Sequence, residues 1–283
     1  MIVARDRAEL SKALTRLREG GATLALVPTM GALHDGHLGL VGLARTHATH
    51  AVASIFVNPT QFAPNEDLAS YPRDEAGDLA ALEGAGCTLA YLPSPDEVYP
   101  PGDQTRVVPG ALAEPMEGAC RPGFFTGVCT VVAKLLVHAA PDAAIFGEKD
   151  YQQLLVVRRM VTDLGLGVAV HAAPTARAAD GLALSSRNRY LSPEERARAA
   201  RLPETLGKVA TRVRGGVAAN VALAQGLSDL EAAGFAPDYL ELRRGDDLAA
   251  APARPLRAPE ADQMRLFVAA RLGPARLIDN RPL

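Results

Sequence analysis

Tryptophan is missing altogether from the 283 residues, and phenylalanine and tyrosine number only 7 and 6. So few aromatics leave little material for the stacking platforms that hold single-stranded nucleic acid. Charge of one sign is lacking too: the formal net charge is -2, so no nucleic-acid partner is expected. No apolar run approaches the roughly 18 residues that suggest a membrane span. The first residues, MIVARDRAELSKALTRLREGG, are charged throughout and contain no apolar core of a secretory signal. The three cysteines, Cys87, Cys120 and Cys129, show no metal-ligand spacing and cannot all pair, which fits a reducing compartment. A cytoplasmic protein without membrane contact is expected. Lysine is also scarce: Lys12, Lys134, Lys149 and Lys208 stand among 30 basic residues, so a lysine inside a motif carries weight. What is present is a 48% hydrophobic, 22% charged chain, long enough for one large domain or two smaller ones with a full core.

The first part of the chain alternates apolar runs and helical periodicities. Strands are expected at Thr23–Val27, Ala51–Val57, Thr88–Leu92, Ala143–Phe146 and Val168–His171. Helices are expected over 6–19, from His37 to about Arg45, and at Asp74–Glu83, Thr126–Ala139 and Tyr151–Leu164. Strands separated by helices imply a parallel sheet with right-handed crossovers, Rossmann-like, with helices on both faces. Ligands of such sheets lie beyond the carboxyl ends of the strands, so chemistry is expected just after Val27, Val57 and Phe146. The pattern changes near residue 175. Ser192, Pro193 and Glu195 form a helix start. Helices are expected over 193–214 and 217–233, then strands at Tyr239–Arg243, Arg265–Arg271 and Arg276–Ile278, with Ala249–Pro259 as loop. The reading is two domains: 1–176, Rossmann-like, and 177–283, a smaller C-terminal α/β domain.

Four segments carry chemistry. Pro28 to His37 (PTMGALHDGH) joins a strand end to a helix start. A helix N-terminus favours anions. His34 and His37, three apart in a first turn, add two imidazole donors suited to a phosphate that gains charge in a transition state. Gly31 and Gly36 are expected to let a flat ligand approach the backbone. His47 and His50 share the spacing without the glycines or a preceding strand, and read as a solvated helix end. After the second strand, Asn58 to Phe62 (NPTQF) offers amides that hold a carboxylate or hydroxyl without adding charge; an ordinary Asn-Pro turn is an equal reading. After the strand AAIF come Gly147, Glu148, Lys149, Asp150, Tyr151, Gln152 and Gln153. Lys149 suits a phosphate as a point charge. Asp150 and Gln153 also fit a capping box, and Gln153 alternatively points into the cleft. Finally, Leu184, Ser185, Ser186 and Arg187 lie where the two domains meet, with hydroxyls and a guanidinium able to close over a polyphosphate. Alone, that segment reads equally as a solvated linker.

Together PTMGALHDGH, IFVNPTQF, FGEKDYQQL and GLALSSRNRYLS resemble, in order and spacing, the pantoate–β-alanine ligase family, and the resemblance spans nearly the whole chain. It implies a Rossmann-like domain binding ATP and pantoate, with a small C-terminal domain as a lid, in a cytoplasmic homodimer that needs Mg2+. The implied reaction activates (R)-pantoate with ATP as pantoyl adenylate, releasing pyrophosphate; the amine of β-alanine then attacks, giving pantothenate and AMP. Carried over residue by residue, ATP lies against Met30, Gly31, Ala32, Leu33, His34, Asp35, Gly36, His37, Gly147, Glu148, Lys149, Asp150, Ala176, Leu184, Ser185, Ser186 and Arg187. His37 is the residue assigned as proton donor, and His34, Lys149 and Arg187 join it in the catalytic set. Gln61 and Gln153 hold pantoate, and Gln61 also lies near β-alanine. Asp78 is a candidate for holding magnesium through water. The chain departs from the family at Leu184 (methionine is usual), Ala176 (valine), Thr60 (methionine) and Phe124 (histidine). Two other readings stay open on the residues themselves: a nucleotidyltransferase acting on a phosphate ester, and a nucleotide sensor without turnover. Neutral Gln61 and Gln153 favour a hydroxy-acid over a phosphate ester.

Overall fold

The structure is a computed structural model, and it describes every residue except 64, 65 and 67. It divides into two compact units: 1–148 with 152–174, and 149–151 with 175–283.

The first unit is built on six parallel strands: β1 (Ile2–Ala4), β2 (Leu24–Thr29), β3 (His50–Ile55), β4 (Leu89–Tyr91), β5 (Ala143–Gly147) and β6 (Ala169–Ala173), in the order β1-β4-β3-β2-β5-β6. Between them run helices α1 (Arg7–Leu17), α2 (Asp35–His47), α3 (Glu75–Gly84), α4 (Pro95–Val98), α5 (Glu117–Cys120), α6 (Phe124–Ala139) and α7 (Tyr151–Asp163), whose first residue belongs to the other unit. The expected parallel sheet is present, and β1, too short for a periodic signal, adds an edge strand to it. Ala25, Val27, Ala51, Ala53, Ala90 and Ile145 pack with Val41 and Ala44 of α2 and Leu82 of α3 into a core under one face. Small residues on the central strands let the helices sit close. Because β2 pairs in parallel with β3 on one side and β5 on the other, the segments after Thr29, Ile55 and Gly147 emerge at one edge. The chain reverses its winding at β2, the place where doubly wound sheets bind ligands.

The second unit holds α8 (Pro193–Ala199), α9 (Arg201–Arg214), α10 (Ala219–Ala232), β7 (Ala236–Arg244), α11 (Ala258–Ala261), β8 (Met264–Leu272) and β9 (Ala275–Pro282). The three strands form an antiparallel sheet, β7-β8-β9. Leu202, Leu206 and Val209 of α9 and Leu230 of α10 pack with Leu240, Leu266 and Val268. The Ser192 cap is a complete capping box, with Glu195 N donating to Ser192 Oγ and Ser192 N to Glu195 Oε2. The helix expected over 193–214 is broken at Ala200 into α8 and α9. Pro203 has no N–H for the Ala199 carbonyl and its ring crowds that carbonyl, so one continuous helix cannot pass. At the end of the stretch read as loop a single helical turn, Ala258–Ala261, begins and runs just beyond it. Among the described residues no helix is long and apolar enough to cross a membrane. Burial pushes the Cys129 thiol up to about 12 and raises Cys87 as well, so neither is a ready nucleophile.

Candidate active site

In the first unit the histidine segment leaves β2, turns at Met30–Leu33 and enters α2. His34 is not in the first helical turn, as expected from spacing, but is its N-cap: extended backbone, with Nδ1 accepting from Gly36 N at 3.2 Å. Because Nδ1 accepts, the neutral ring carries its proton on Nε2. The two rings still meet, centroids 4.1 Å apart.

The turn before them is strained and held from behind. Gly31 and Ala32 both lie in the left-handed region, at φ +81 and +51. A non-glycine residue there persists only where its surroundings over-determine it. Asp78 supplies that constraint: Oδ2 accepts from Ala32 N at 2.9 Å and Oδ1 from Leu33 N at 2.7 Å, with the residue 5% exposed. Thr29 Oγ1 accepts from Gly31 N at 3.3 Å and donates to Ser54 O at 2.7 Å.

Asp78, the candidate for holding magnesium through water, is engaged inside the protein on two backbone amides. Gly31 is required by the protein itself, since a Cβ there would sit 2.9 Å from Asp78 Oδ2 and 3.1 Å from Ile55 Cγ2. The amides of Gly31, Ala32, Leu33 and Gly36 all point at protein acceptors. Replacing Asp78 by alanine leaves two buried amides unpartnered, at about 1–3 kcal/mol each. Asp78→Ala is therefore expected to lower the melting temperature clearly, with loss of activity in the still-folded protein; an unchanged melting temperature contradicts this account.

Asn58 is the hub of the second segment. It is 1% exposed and caps the short turn Pro59–Gln61. Its Nδ2 donates to Gln61 Oε1 at 3.0 Å and to Gly127 O at 3.1 Å. Its Oδ1 accepts from Tyr99 OH at 2.8 Å and Thr60 Oγ1 at 3.0 Å. Burial raises the Tyr99 phenol, which keeps it a neutral donor. With Gln61 Oε1 occupied, its Nε2 faces Met30 Sδ at 3.0 Å, a weak acceptor. Gln61 thus presents an N–H donor beside the histidine turn. The Asn-Pro turn and the amide site are both present: Asn58 makes the turn, and the turn aims Gln61.

Phe124, where histidine is usual, lies under the Arg121 guanidinium at 3.8 Å. Arg121 binds Glu66 through two bonds, at 2.6 and 2.7 Å, and donates to Gln61 O at 3.1 Å. Sequence reasoning missed this brace on Gln61. The neighbouring Gln152 is buried and donates to Leu112 O and Pro115 O, so it supports the fold, while Gln153 is half-buried. Gly147 closes β5 and Glu148 follows it, both half-buried. His47, away from this edge, stacks on His171 at 3.7 Å, and His50 begins β3. The pair read as a solvated helix end is thus divided between two elements.

In the second unit, Lys149 Nζ lies 3.6 Å from Asp150 Oδ1, and the lysine side chain is 21% exposed. Ala176 and Leu184 are paired, Leu184 N donating to Ala176 O at 2.9 Å, at the mouth of a hairpin turned at Gly181. Ser185 then caps a short helical turn over Ser186–Tyr190, with Oγ accepting from Arg187 N at 3.3 Å. Among the described residues, no three His, Cys, Asp or Glu side chains come together as a metal-binding group.

A doubly wound sheet with a Gly/His turn at its switch strand defines a nucleotide-handling α/β protein. The family model described as pantoate-beta-alanine ligase matches residues 2–282, and the chain belongs to that family. It is 53% identical over 281 residues to the pantothenate synthetase of Acidiphilium cryptum, covering 99% of each chain. Identity to that of Granulibacter bethesdensis is 51% over 280 residues, covering 99% of this chain and 96% of the other. Among solved structures it is similar to pantothenate synthetase from Thermus thermophilus, with TM-score 0.92, 47% identity and coverage of 100% and 99%. It is also similar to the Francisella tularensis pantoate-beta-alanine ligase complexed with beta-gamma ATP and β-alanine, with TM-score 0.83, 31% identity and coverage of 100% and 97%.

Proposed function

We infer that this chain condenses pantoate with β-alanine at the expense of ATP, through pantoyl adenylate, releasing pyrophosphate and then AMP. The observation that carries the reading is the Gln61 amide: its oxygen is tied to Asn58, and its nitrogen is turned toward the same turn that holds His34 and His37. A neutral acid-binding donor beside a phosphate-facing imidazole pair suits attack of a hydroxy-acid carboxylate on the α-phosphorus. A phosphate-ester acceptor would need cations at that place.

In this reading Gln61 and Gln153 hold pantoate, and Gln61 also meets β-alanine. The family resemblance gives the nucleotide Met30–His37, Gly147, Glu148, Lys149, Asp150, Ala176 and Leu184–Arg187. His34 donates through Nε2, because Nδ1 is occupied by the cap. His37 stands beside it as the second donor to the charge that grows on the α-phosphate and departing pyrophosphate. Lys149 and Arg187 neutralise the phosphates, so that two anions can approach each other. A magnesium ion entering with the triphosphate would shield its charge and would be held mainly by phosphates and water. Amide formation needs β-alanine as the neutral amine, and no side chain is assigned as its base. A homodimeric, cytoplasmic enzyme with a C-terminal lid belongs to the same reading and follows the family.

The deciding experiment is exchange of labelled pyrophosphate into ATP. Exchange that depends on pantoate supports a ligase; ATP binding without exchange, or exchange driven by a phosphate ester, overturns it. A finer test separates the substrates. Gln61→Ala and Gln153→Ala are each expected to weaken pantoate use roughly 10-fold or more, since a hydrogen bond to a charged group is worth about 1.5–3 kcal/mol. ATP binding should change little. Equal losses for the two substrates would place these amides elsewhere.

A further inference from the structure

Strand β9 carries two consecutive buried polar residues, Asp279 and Asn280, each 3% exposed. Buried polar groups cost stability unless their bonds are made, and here the partners belong to two segments already described and to the sheet itself. Asp279 accepts both arms of Arg177, Nη1 to Oδ2 at 2.8 Å and Nη2 to Oδ1 at 2.9 Å. Arg177 also donates to Asn280 O at 3.2 Å and to Gly181 O at 3.0 Å, so it staples the hairpin that delivers Leu184–Arg187. Asn280 faces the other way. Its Oδ1 accepts from Arg265 Nη1, and its Nδ2 donates to Lys149 O at 2.8 Å. Arg265 in turn lies 3.7 Å over the Tyr151 ring, and Tyr151 OH donates to Gly245 O at 3.0 Å. The main chain is therefore held at the Lys149 carbonyl, and the Tyr151 side chain two residues later is anchored as well.

We propose that Asn280 is a positioning residue for Lys149, and Asp279 for the Leu184–Arg187 segment. Two consecutive residues of β9 would then set the spacing between the phosphate-facing groups this unit carries. The inference rests on the role given to Lys149 and Arg187 under Proposed function. Its logic is mechanical. A lysine ammonium rides on a flexible stem, so its reach is defined only if its main chain is held, and a misplacement of about 1 Å can cost about 10²-fold in rate. The choice of asparagine fits: one amide accepts from Arg265 and donates to a carbonyl at once, whereas a carboxylate only accepts.

Asn280→Asp isolates the link. The shape is kept, the Arg265 contact is kept or strengthened, and the donor to Lys149 O is replaced by an oxygen that repels it. Adenylate formation should slow by about 10-fold or more. Conversion of preformed pantoyl adenylate with β-alanine should be nearly unchanged, because pyrophosphate has left by then. In a Lys149→Ala background Asn280→Asp should add no further loss, since two residues acting as a unit are not additive. If Asn280→Asp does not fold, Asn280→Ser removes the amide without adding charge and takes the same comparison. Wild-type adenylation in the asparagine variant, equal losses in both half-reactions, or full additivity with Lys149→Ala would each overturn the inference. Wild-type adenylation by Lys149→Ala itself would instead sink the site reading and the inference with it.

Discussion

His34→Ala and His37→Ala are each expected to slow formation of pantoyl adenylate by about 10²-fold or more, roughly 3–4 kcal/mol of transition-state stabilisation. The amides of the Gly31–Leu33 turn are occupied by Thr29 and Asp78, so they cannot stand in for a missing imidazole. The two variants should differ in stability. His34 caps α2, and loss of a cap costs about 1 kcal/mol, so His34→Ala should also melt lower. His34→Asn keeps a capping acceptor while removing the Nε2 donor. It should regain the stability and not the rate. Single-turnover adenylation beside thermal denaturation separates the two roles. Unchanged single-turnover rates in both alanine variants would refute the assignment of this pair.

The second large effect is expected at Lys149, where arginine should be nearly as damaging as alanine in adenylation, about 10²-fold. Charge is kept, but its place is not. The ammonium sits 3.6 Å from Asp150 Oδ1 on a side chain only 21% exposed. A guanidinium there would form a two-pronged pair with that carboxylate and be drawn away from a phosphate. The amide-forming step should suffer less in both variants, since pyrophosphate has gone by then. Supplying preformed pantoyl adenylate with β-alanine measures that step alone. Wild-type adenylation by Lys149→Arg would make Lys149 a diffuse charge and contradict its placement.

The strands, the crossover helices and the residues at the strand ends were legible because they obey local periodicity and local turn chemistry. His34, His37 and Gln61 could be named because each follows an apolar run at a place where parallel sheets put ligands. Their supports could not. Asp78 occupies the first turn of α3, where a carboxylate reads as complementing the helix dipole; that it reaches back to Ala32 and Leu33 depends on how α3 packs. Asn280 lies 131 residues from Lys149, and Arg121 lies 55 from Glu66. No pattern of period 2 or 3.6 encodes such pairs. A faint signal existed at Asp279 and Asn280: two polar residues inside a strand whose neighbours Leu277 and Ile278 are apolar. The break at Ala200 was legible in principle, since Pro203 lay in view.

Gly127 carries a consequence for anyone who would engineer this enzyme. It sits inside α6, where glycine is about 1 kcal/mol less favourable than alanine, and a stability survey would mark it first for replacement. A methyl group there would meet Thr60 O at 2.3 Å and Gln61 N at 2.9 Å. The helix backbone lies directly against the turn that aims Gln61, and the substitution that looks most stabilising on paper would push substrate recognition out of alignment. Thermostabilised variants of this enzyme should be sought on the outer faces of α9 and α10, with Gly127 left as it is.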